Sequence, residues 1–394
     1  MHKSKRVLLL LDIDRGWTRD ILRGIAKYCR LNNPWGLYRL SQFYWRPEHK
    51  RNKNELKKFQ QWKPDGIITR EMDHIDEVLQ LGVPVIGWDY SGEVPSIPIV
   101  TSDFETTGSM AAEYFQEKGF KNFAFCGYSD VGWSTKRLEG FRRTLNARGY
   151  EVEVYMKPMS SLRNLWSDEI DKLSKWLKTL APATGLMTCS DDRSLHVLEA
   201  CKTSSILVPE EIAILGVDND ELLCDLANPP LSSIEFNTED TGYAVAEMLD
   251  KMMSGRHFEG CNIITKPIRV IERRSTDICA IQDSQVTAAL AYIREHKYKL
   301  IGVSEVVSAT SVSRRNLELR FKKHLNRSIL DEIKRTHVDL MADLLIETNY
   351  SVSKIASMLG HSSVENICRY FKSEKGLSPA QYREEFEKPV ILRR

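Results

Sequence analysis

With 394 residues, 42% of them hydrophobic and 28% charged, the chain is longer than one core of about 100–200 residues can organise. Its mixture is that of a globular protein, which excludes a disordered or membrane-embedded chain. The net charge of +2 is unevenly held: the last 111 residues carry 19 Lys and Arg against 13 Asp and Glu, the remainder 37 against 41, so a polyanion partner is expected at the C-terminal block.

The first apolar run, residues 7–11, is five residues long before Asp12, against the roughly 20 needed to span a bilayer. It also lacks the small-residue cleavage site of a secretory signal, which places the chain in the cytoplasm with no membrane partner. Similar runs recur at residues 66–68, 83–87, 123–127, 185–188 and 212–217, with helical periodicity at 18–31, 109–118, 136–148 and 193–201. Strands apolar on both faces that alternate with helices imply parallel sheets under helical layers. So many βα units over about 275 residues predict an α/β fold of two doubly wound lobes, with a small-molecule site where the carboxyl ends of their strands meet. The eight cysteines are scattered, with no Cys-x-x-Cys pair; they are expected to be reduced, packed thiols, and neither a metal nor a cofactor is expected.

After residues 267–277 the strand signal disappears, and 283–386 has helical periodicity throughout, broken at Gly302, residues 349–351, Gly360 and 376–379. The predicted domains are therefore 1–279, an α/β sensing unit, and 280–394, an all-α unit. Two helix-turn-helix motifs are expected in the second. In the first motif, residues 303–309 form a short helix, 310–312 the turn, and Ser313 caps a helix that buries Leu317 and Phe321. In the second, Ser351 caps 352–359, Gly360 and His361 make the turn, and Ser362 or Ser363 opens the next helix. The stretch 328–348 between them is about 30 Å long as a helix, close to the ~34 Å between successive major-groove faces of double-stranded DNA. Base-edge or phosphate contacts are expected from Ser313, Arg314, Arg315, Asn316, Glu318, Arg320 and Lys323 in the first motif, and from Ser363, Glu365, Asn366, Arg369 and Lys372 in the second. The same residues also suit a solvated helix face, and one motif could be purely structural.

Residues 355–361, 370–372 and 376–383, with Ser313, Leu317, Arg320, Phe321 and Lys322, resemble the signature of AraC/XylS-type regulators. The segments 216–220, 229–234, 137–141 and 209–216 resemble the effector domain of LacI/GalR regulators, which has the periplasmic sugar-binding fold. A LacI-type sensor ahead of an AraC-type DNA-binding unit is the arrangement of the xylose operon regulators. That resemblance implies a homodimeric activator of pentose-utilisation genes that works with RNA polymerase and is controlled by a sugar held between the lobes. It carries ligand-binding roles onto Asp218, Arg137 and Asp103. Ser190 stands where many relatives have a ligand-binding Asn, which separates ligand identity from family membership.

Sugar recognition requires groups that make paired bonds to vicinal hydroxyls and an aromatic face for the C–H side of the ring. Asp218 follows a buried run, and Asp14, Trp17, Trp88 and Asp89 follow two others, where they would supply the opposite lobe's contacts. The plainer alternatives are that an Asp after a strand caps the next helix and that an isolated Trp packs in a core. No nucleophile with an oriented base, phosphate loop or metal cluster is present to support an enzyme. A free-standing solute-binding protein would fit the first 277 residues but leave the basic helical tail unexplained. A different sugar or a non-sugar effector, or lobes that have lost their ligand, remain open.

Overall fold

A computed structural model of the chain describes residues 4–11, 13–32, 34–39, 61–70, 75–88, 97–159, 166–258, 261–278, 283–325, 327–361, 363–387 and 390–393. In chain order the elements are β1 (Arg6–Leu10), α1 (Gly16–Leu31), β2 (Gly36–Arg39), β3 (Gly66–Thr69), α2 (Ile75–Leu79), β4 (Val85–Trp88), β5 (Ile99–Ser102), α3 (Phe104–Glu117), β6 (Asn122–Tyr128), α4 (Gly132–Asn146), β7 (Val152–Lys157), α5 (Trp166–Leu177), β8 (Thr184–Thr188), α6 (Asp191–Thr203), β9 (Ile212–Val217), α7 (Glu221–Leu226), β10 (Ser232–Phe236), α8 (Thr238–Met253), β11 (Cys261–Thr265) and β12 (Pro267–Ile271). The helical part follows as α9 (Ser284–Glu295), α10 (Val303–Ser308), α11 (Arg314–Leu325), α12 (Ile329–Glu347), α13 (Val352–Met358), α14 (Val364–Lys375) and α15 (Pro379–Glu387). The chain then ends in a strand, β13 (Val390–Arg393).

Two sheets result, in the orders β13-β11-β5-β4-β3-β1-β2 and β12-β10-β9-β8-β6-β7. All described pairings are parallel except β10 with β12 and β11 with β13. Side chains of a strand alternate between faces, and here both faces are buried. In β6, Phe123 and Phe125 join one apolar cluster while Ala124 and Cys126 join another; in β1, Val7 and Leu9 part from Leu8 and Leu10 in the same way. The expected two doubly wound lobes are therefore present. The described cysteines are free, and five of them, Cys126, Cys189, Cys201, Cys224 and Cys261, are buried.

The chain crosses between lobes three times: from β5 to α3, from β10 to α8 and from β11 to β12. The crossings are hydrogen-bonded to one another, Asp103 N–H to the Thr265 carbonyl at 3.0 Å, Asn237 N–H to that of Lys266 at 3.2 Å, and Lys266 N–H to Asn237 Oδ1 at 2.8 Å. Each lobe also has one helix pair packed backbone to backbone. In the first, a Cβ on Gly24 of α1 would lie 1.9 Å from the Glu239 carbonyl oxygen of α8. In the second, a Cβ on Gly108 of α3 would lie 2.1 Å from the Arg137 carbonyl of α4, and one on Gly140 would lie 2.0 Å from that of Glu105. Only glycine permits such an approach.

The helical part forms two small cores. Ile329 and Ile333, from the N-terminal half of α12, belong to the first with Leu317 and Phe321; Val338, Met341 and Leu345, from its other half, belong to the second with Ile355, Ile367 and Phe371. One helix thus carries both motifs. At its middle, His337 Nε2 donates to the Lys299 carbonyl at 3.1 Å while its Nδ1 pairs with His361 Nε2 at 3.1 Å, tying the second motif's turn to the loop ahead of α10. Burial holds both imidazoles below their ordinary range, so the pair is neutral at physiological pH. The expectation of helix alone after residue 277 fails at β13, which pairs with the edge strand β11 of the first lobe. Its four residues are too few to register as a periodic pattern.

Candidate functional site: a cleft between lobes and a two-motif DNA-binding surface

Between the lobes lies a cleft of about 510 Å³, its open mouth included, lined by Arg15, Trp17, Thr18, Arg70, Trp88, Thr101, Ser102, Phe104, Trp133, Arg137 and Asp218. The first-lobe members follow or end β1, β3, β4 and β5, and Asp218 follows β9, so the strand-end rule locates the cleft. Arg137 comes from α4, whose position is fixed by the glycine contacts to α3. Its guanidinium is 5% exposed, donates to the Cys189 carbonyl and to Asp218 Oδ1 at 3.0 Å, and lies 5.2 Å from the Trp133 ring centre and 5.7 Å from those of Phe104 and Phe236. An aromatic cage around an ion pair keeps water out and makes its remaining donors directional. Burial pushes the Asp218 carboxyl above the usual carboxylate range, against the pull of Arg137 and Arg15. Trp17 meets Trp88 edge to face, centres 4.9 Å apart at 75°. Three lining residues hold buried polar atoms without a protein partner: Arg137 Nε, Trp88 Nε1 and Thr18 Oγ1.

Of the residues expected at the ligand, the cleft therefore gathers Asp218, Arg137, Trp17 and Trp88. Asp103 is placed at the hinge as the N-cap of α3, accepting from Thr106 N–H at 3.1 Å. Ser190 caps α6, accepting from Arg193 N–H at 3.3 Å, and is 2% exposed. Asp14 is exposed, with its carbonyl accepting from Arg19. Asp89 lies outside the described residues. Sequence reasoning passed over Arg15, Arg70, Ser102 and Trp133. Arg70 and Ser102 stand at strand ends and were findable by the rule that found Trp88; Trp133 is an aromatic in a helix's first turn, which resembles core packing.

In the helical part the caps fall as expected: Ser313 accepts from Asn316 N–H at 3.4 Å, Ser351 from Lys354 at 3.2 Å and Ser363 from Asn366 at 3.3 Å. Arg314, Arg315, Asn316 and Lys323 on α11 are exposed, as are Glu365, Asn366, Arg369 and Lys372 on α14. Arg320 is engaged internally, bonded to Asn316 and to Asp283 at 2.7 Å, and Glu318 accepts from Ile329 N–H at the start of α12. A groove beside α11, lined by Arg314, Arg315, Glu318, Lys322, Arg327 and Asp331 among others, adds the exposed Lys322 to the surface, while Arg327 is paired with Glu332 at 3.1 Å. Arg383 closes the unit by donating to the carbonyls of Leu345, Thr348 and Tyr350 at the end of α12. Among the described residues no helix is long and apolar enough to cross a membrane, and no cluster of His, Cys, Asp and Glu suits a metal ion.

A periplasmic binding protein-like domain model matches residues 112–276, and a helix-turn-helix domain model matches 306–385. The xylose operon regulatory protein of Escherichia coli (strain K12) is 30% identical over 392 residues, 97% of this chain and 97% of that protein. That of Haemophilus influenzae is 31% identical over 388 residues, 96% and 98%. The solved structure of the xylose-binding transcription activator xylR matches with a TM-score of 0.60 at 29% identity, covering 97% of this chain and 98% of that one. With relatives matched end to end, a sensor cleft between two lobes and a helix-turn-helix pair on one carrying helix, the chain belongs to the xylose operon regulators, transcription regulators that join a periplasmic-binding-type sensor to an AraC-type DNA-binding unit.

Proposed function

We propose that the chain is a sugar-responsive activator of pentose-utilisation genes, with D-xylose as the first candidate effector because the matched relatives are named for the xylose operon. The observation that carries this reading is the set of partnerless buried polar atoms around the cleft, on Arg137, Trp88 and Thr18. Buried polar groups are nearly always bonded, and a polyhydroxylated ring brings donors and acceptors to such positions at once. In this reading Asp218 accepts vicinal hydroxyls, Arg137 donates to the ring or its hydroxyls, and Trp17 with Trp88 supplies the apolar wall; Asp89, next to Trp88 in the sequence, is proposed as a further hydroxyl acceptor. Asp103, Ser190 and Asp14 act through the loops and helix starts that they hold.

The sensing unit ends near residue 279, apart from β13, which returns to its sheet, and the DNA-binding unit fills the rest of 280–394. Double-stranded DNA is met by the exposed side chains of α11 and α14, with Arg314, Arg315 and Asn316 nearest the bases. The active species is a homodimer; support comes from α7, where Leu222 and Leu226, one turn apart, are 61% and 73% exposed. The regulator works in the cytoplasm with RNA polymerase, needs no cofactor and catalyses no reaction. Ligand and lobe closure are linked because the sugar touches both lobes only when they are closed, and that differential contact is what shifts the population.

Calorimetric titration with D-xylose, L-arabinose, D-ribose, L-fucose, L-rhamnose and common hexoses tests the reading. Selective heat from one pentose is expected, abolished by Asp218→Ala; absence of binding by every sugar overturns it.

A further inference from the structure

We infer that Asp220 is a positioning residue that latches the two lobes together across the cleft without touching the ligand. The inference rests on the reading of the cleft as the effector site. Asp220 belongs to the β9–α7 loop of the second lobe, yet its carboxylate is bonded to the first. Oδ2 accepts the Gly16 N–H at 2.6 Å, and the two oxygens accept Arg19 Nη2 at 2.8 and 3.0 Å. Arg19 in turn donates Nη1 to the carbonyls of Ile13 at 3.1 Å and Asp14 at 2.8 Å. One guanidinium therefore fixes the β1–α1 loop, which carries Arg15 and Trp17, and clasps the opposite lobe.

The loop that presents Asp220 is strained and held. Asp218 and Asn219 have φ of +105° and +46°, a left-handed pair of non-glycine residues that persists only where the surroundings over-determine it. Here they do. Asn219 N–H donates to Ser233 Oγ at 3.0 Å, Ser233 Oγ donates to Asp191 Oδ1 at 2.6 Å, and Asp191 Oδ2 accepts the Asp220 N–H at 2.8 Å. Asp191 is 2% exposed. The reversal of hand sends Asp218 to Arg137 and the cavity, and Asp220 across to Gly16, where space is so short that a Cβ on Gly16 would lie 2.7 Å from Asp220 Cγ. Asp220 is absent from the residues lining the cleft, so it acts on the lobes and not on the ring.

With both lobes in contact through it, the Asp220 side chain is 7% exposed. A buried carboxylate is tolerated only with its donors in place, and both donors come from the other lobe. Opening separates them and returns each to water, so the latch stabilises the closed form alone. Apparent ligand affinity scales with the fraction of the binding-competent form, and a residue that sets that fraction tunes the sensor's threshold from outside the sugar contacts.

The test uses the full-length protein, small-angle scattering without sugar, and calorimetric titration with D-xylose. Arg19→Ala, whose side chain is partly solvated, and Asp220→Ala are each expected to enlarge the unliganded radius of gyration and to weaken D-xylose binding at least tenfold. The losses in the double variant should fall short of the sum of the two single losses, because the two residues share one contact, the remainder being Arg19's own hold on the Ile13 and Asp14 carbonyls, and Arg19→Lys should restore part of the affinity. Gly16→Ala should open the lobes with both charges intact. Unchanged dimensions and affinity in Arg19→Ala overturn the latch even if Asp220→Ala fails to fold. If the wild-type protein binds no pentose, the reading of the cleft is lost and the unliganded dimensions alone decide: expansion in Arg19→Ala upholds the latch, and no expansion overturns it.

Discussion

His196 stands beside the fully buried Arg193, whose guanidinium bonds Glu169 Oε1 at 2.6 Å and approaches His196 Nδ1 at 3.3 Å. Burial and that cation lower the imidazole to about 4. As pH falls below 6.5 the unfolded chain takes up a proton that the folded chain refuses until about 4, so stability is lost across that window and is level above it. The full effect is at most about 3 kcal/mol, less the share screened at a half-buried site. His196→Gln should therefore flatten the fall of melting temperature between pH 6.5 and 4.5, with a difference of about 1–2 kcal/mol at the acid end and none at pH 7.5. Asp191 and Asp218, whose carboxyls are raised by burial, contribute with the opposite sign, which is why the variant and the wild type must be compared at each pH. At this scale the sequence was legible where chemistry and position coincide, as at Asp218 and Arg137. It was less so where one side chain type has two uses. Arg320 has the composition of a base reader and is bonded to Asp283, and Ser190 and Asp103 have the composition of ligand groups and cap helices.

At the scale of elements, the contacts of α3 with α4 and of α1 with α8 set magnitudes against each other. Glycine inside a helix gives up about 1 kcal/mol of propensity relative to alanine, so Gly140→Ala would stabilise α4 in isolation. In place, the new Cβ would sit 2.0 Å from the Glu105 carbonyl oxygen, which is backbone and cannot swing aside. Overpacking of this kind costs about 1–3 kcal/mol or more, and the clash wins. Gly140→Val is expected to lower the denaturation midpoint by a larger amount still and to weaken sugar binding, since Arg137 rides on the displaced helix; equal stability to wild type would mean that α3 moves freely. The elements themselves were visible to different degrees. β1, β6 and β9 announce themselves because both faces are buried, whereas β2, with exposed Leu37, Tyr38 and Arg39, and β7, half-buried except for exposed Glu153 and buried Tyr155, carry no such run. The serine caps of α11, α13 and α14 were legible because capping chemistry is local.

For the whole molecule, α3 joins the two functions. It starts at Asp103 and Phe104 by the cleft and ends at Glu117, whose Oε2 accepts Arg335 Nη1 of α12 at 2.6 Å. A second ion pair, Arg269 to Asp343 at 3.1 Å, reaches the same helix from β12. These pairs are partly exposed and worth about 0–1 kcal/mol each, so they bias the pose of the DNA-binding unit without locking it. Sugar is expected to change hydrogen exchange along α12, and Arg335→Ala should reduce that change while leaving sugar affinity within about twofold. A response of wild-type size in the variant would remove this route.

The three crossings between lobes have a further consequence, in the order of assembly. The second lobe is drawn mainly from one uninterrupted stretch, α3 through β10, and lacks only β12. The first lobe begins the chain at β1 yet needs α8, β11 and the terminal β13. On the ribosome, where chains emerge from the N-terminus, the lobe that starts first finishes last. Its early strands must wait through the making of the other lobe, and through the whole DNA-binding unit for β13, before the sheet is complete.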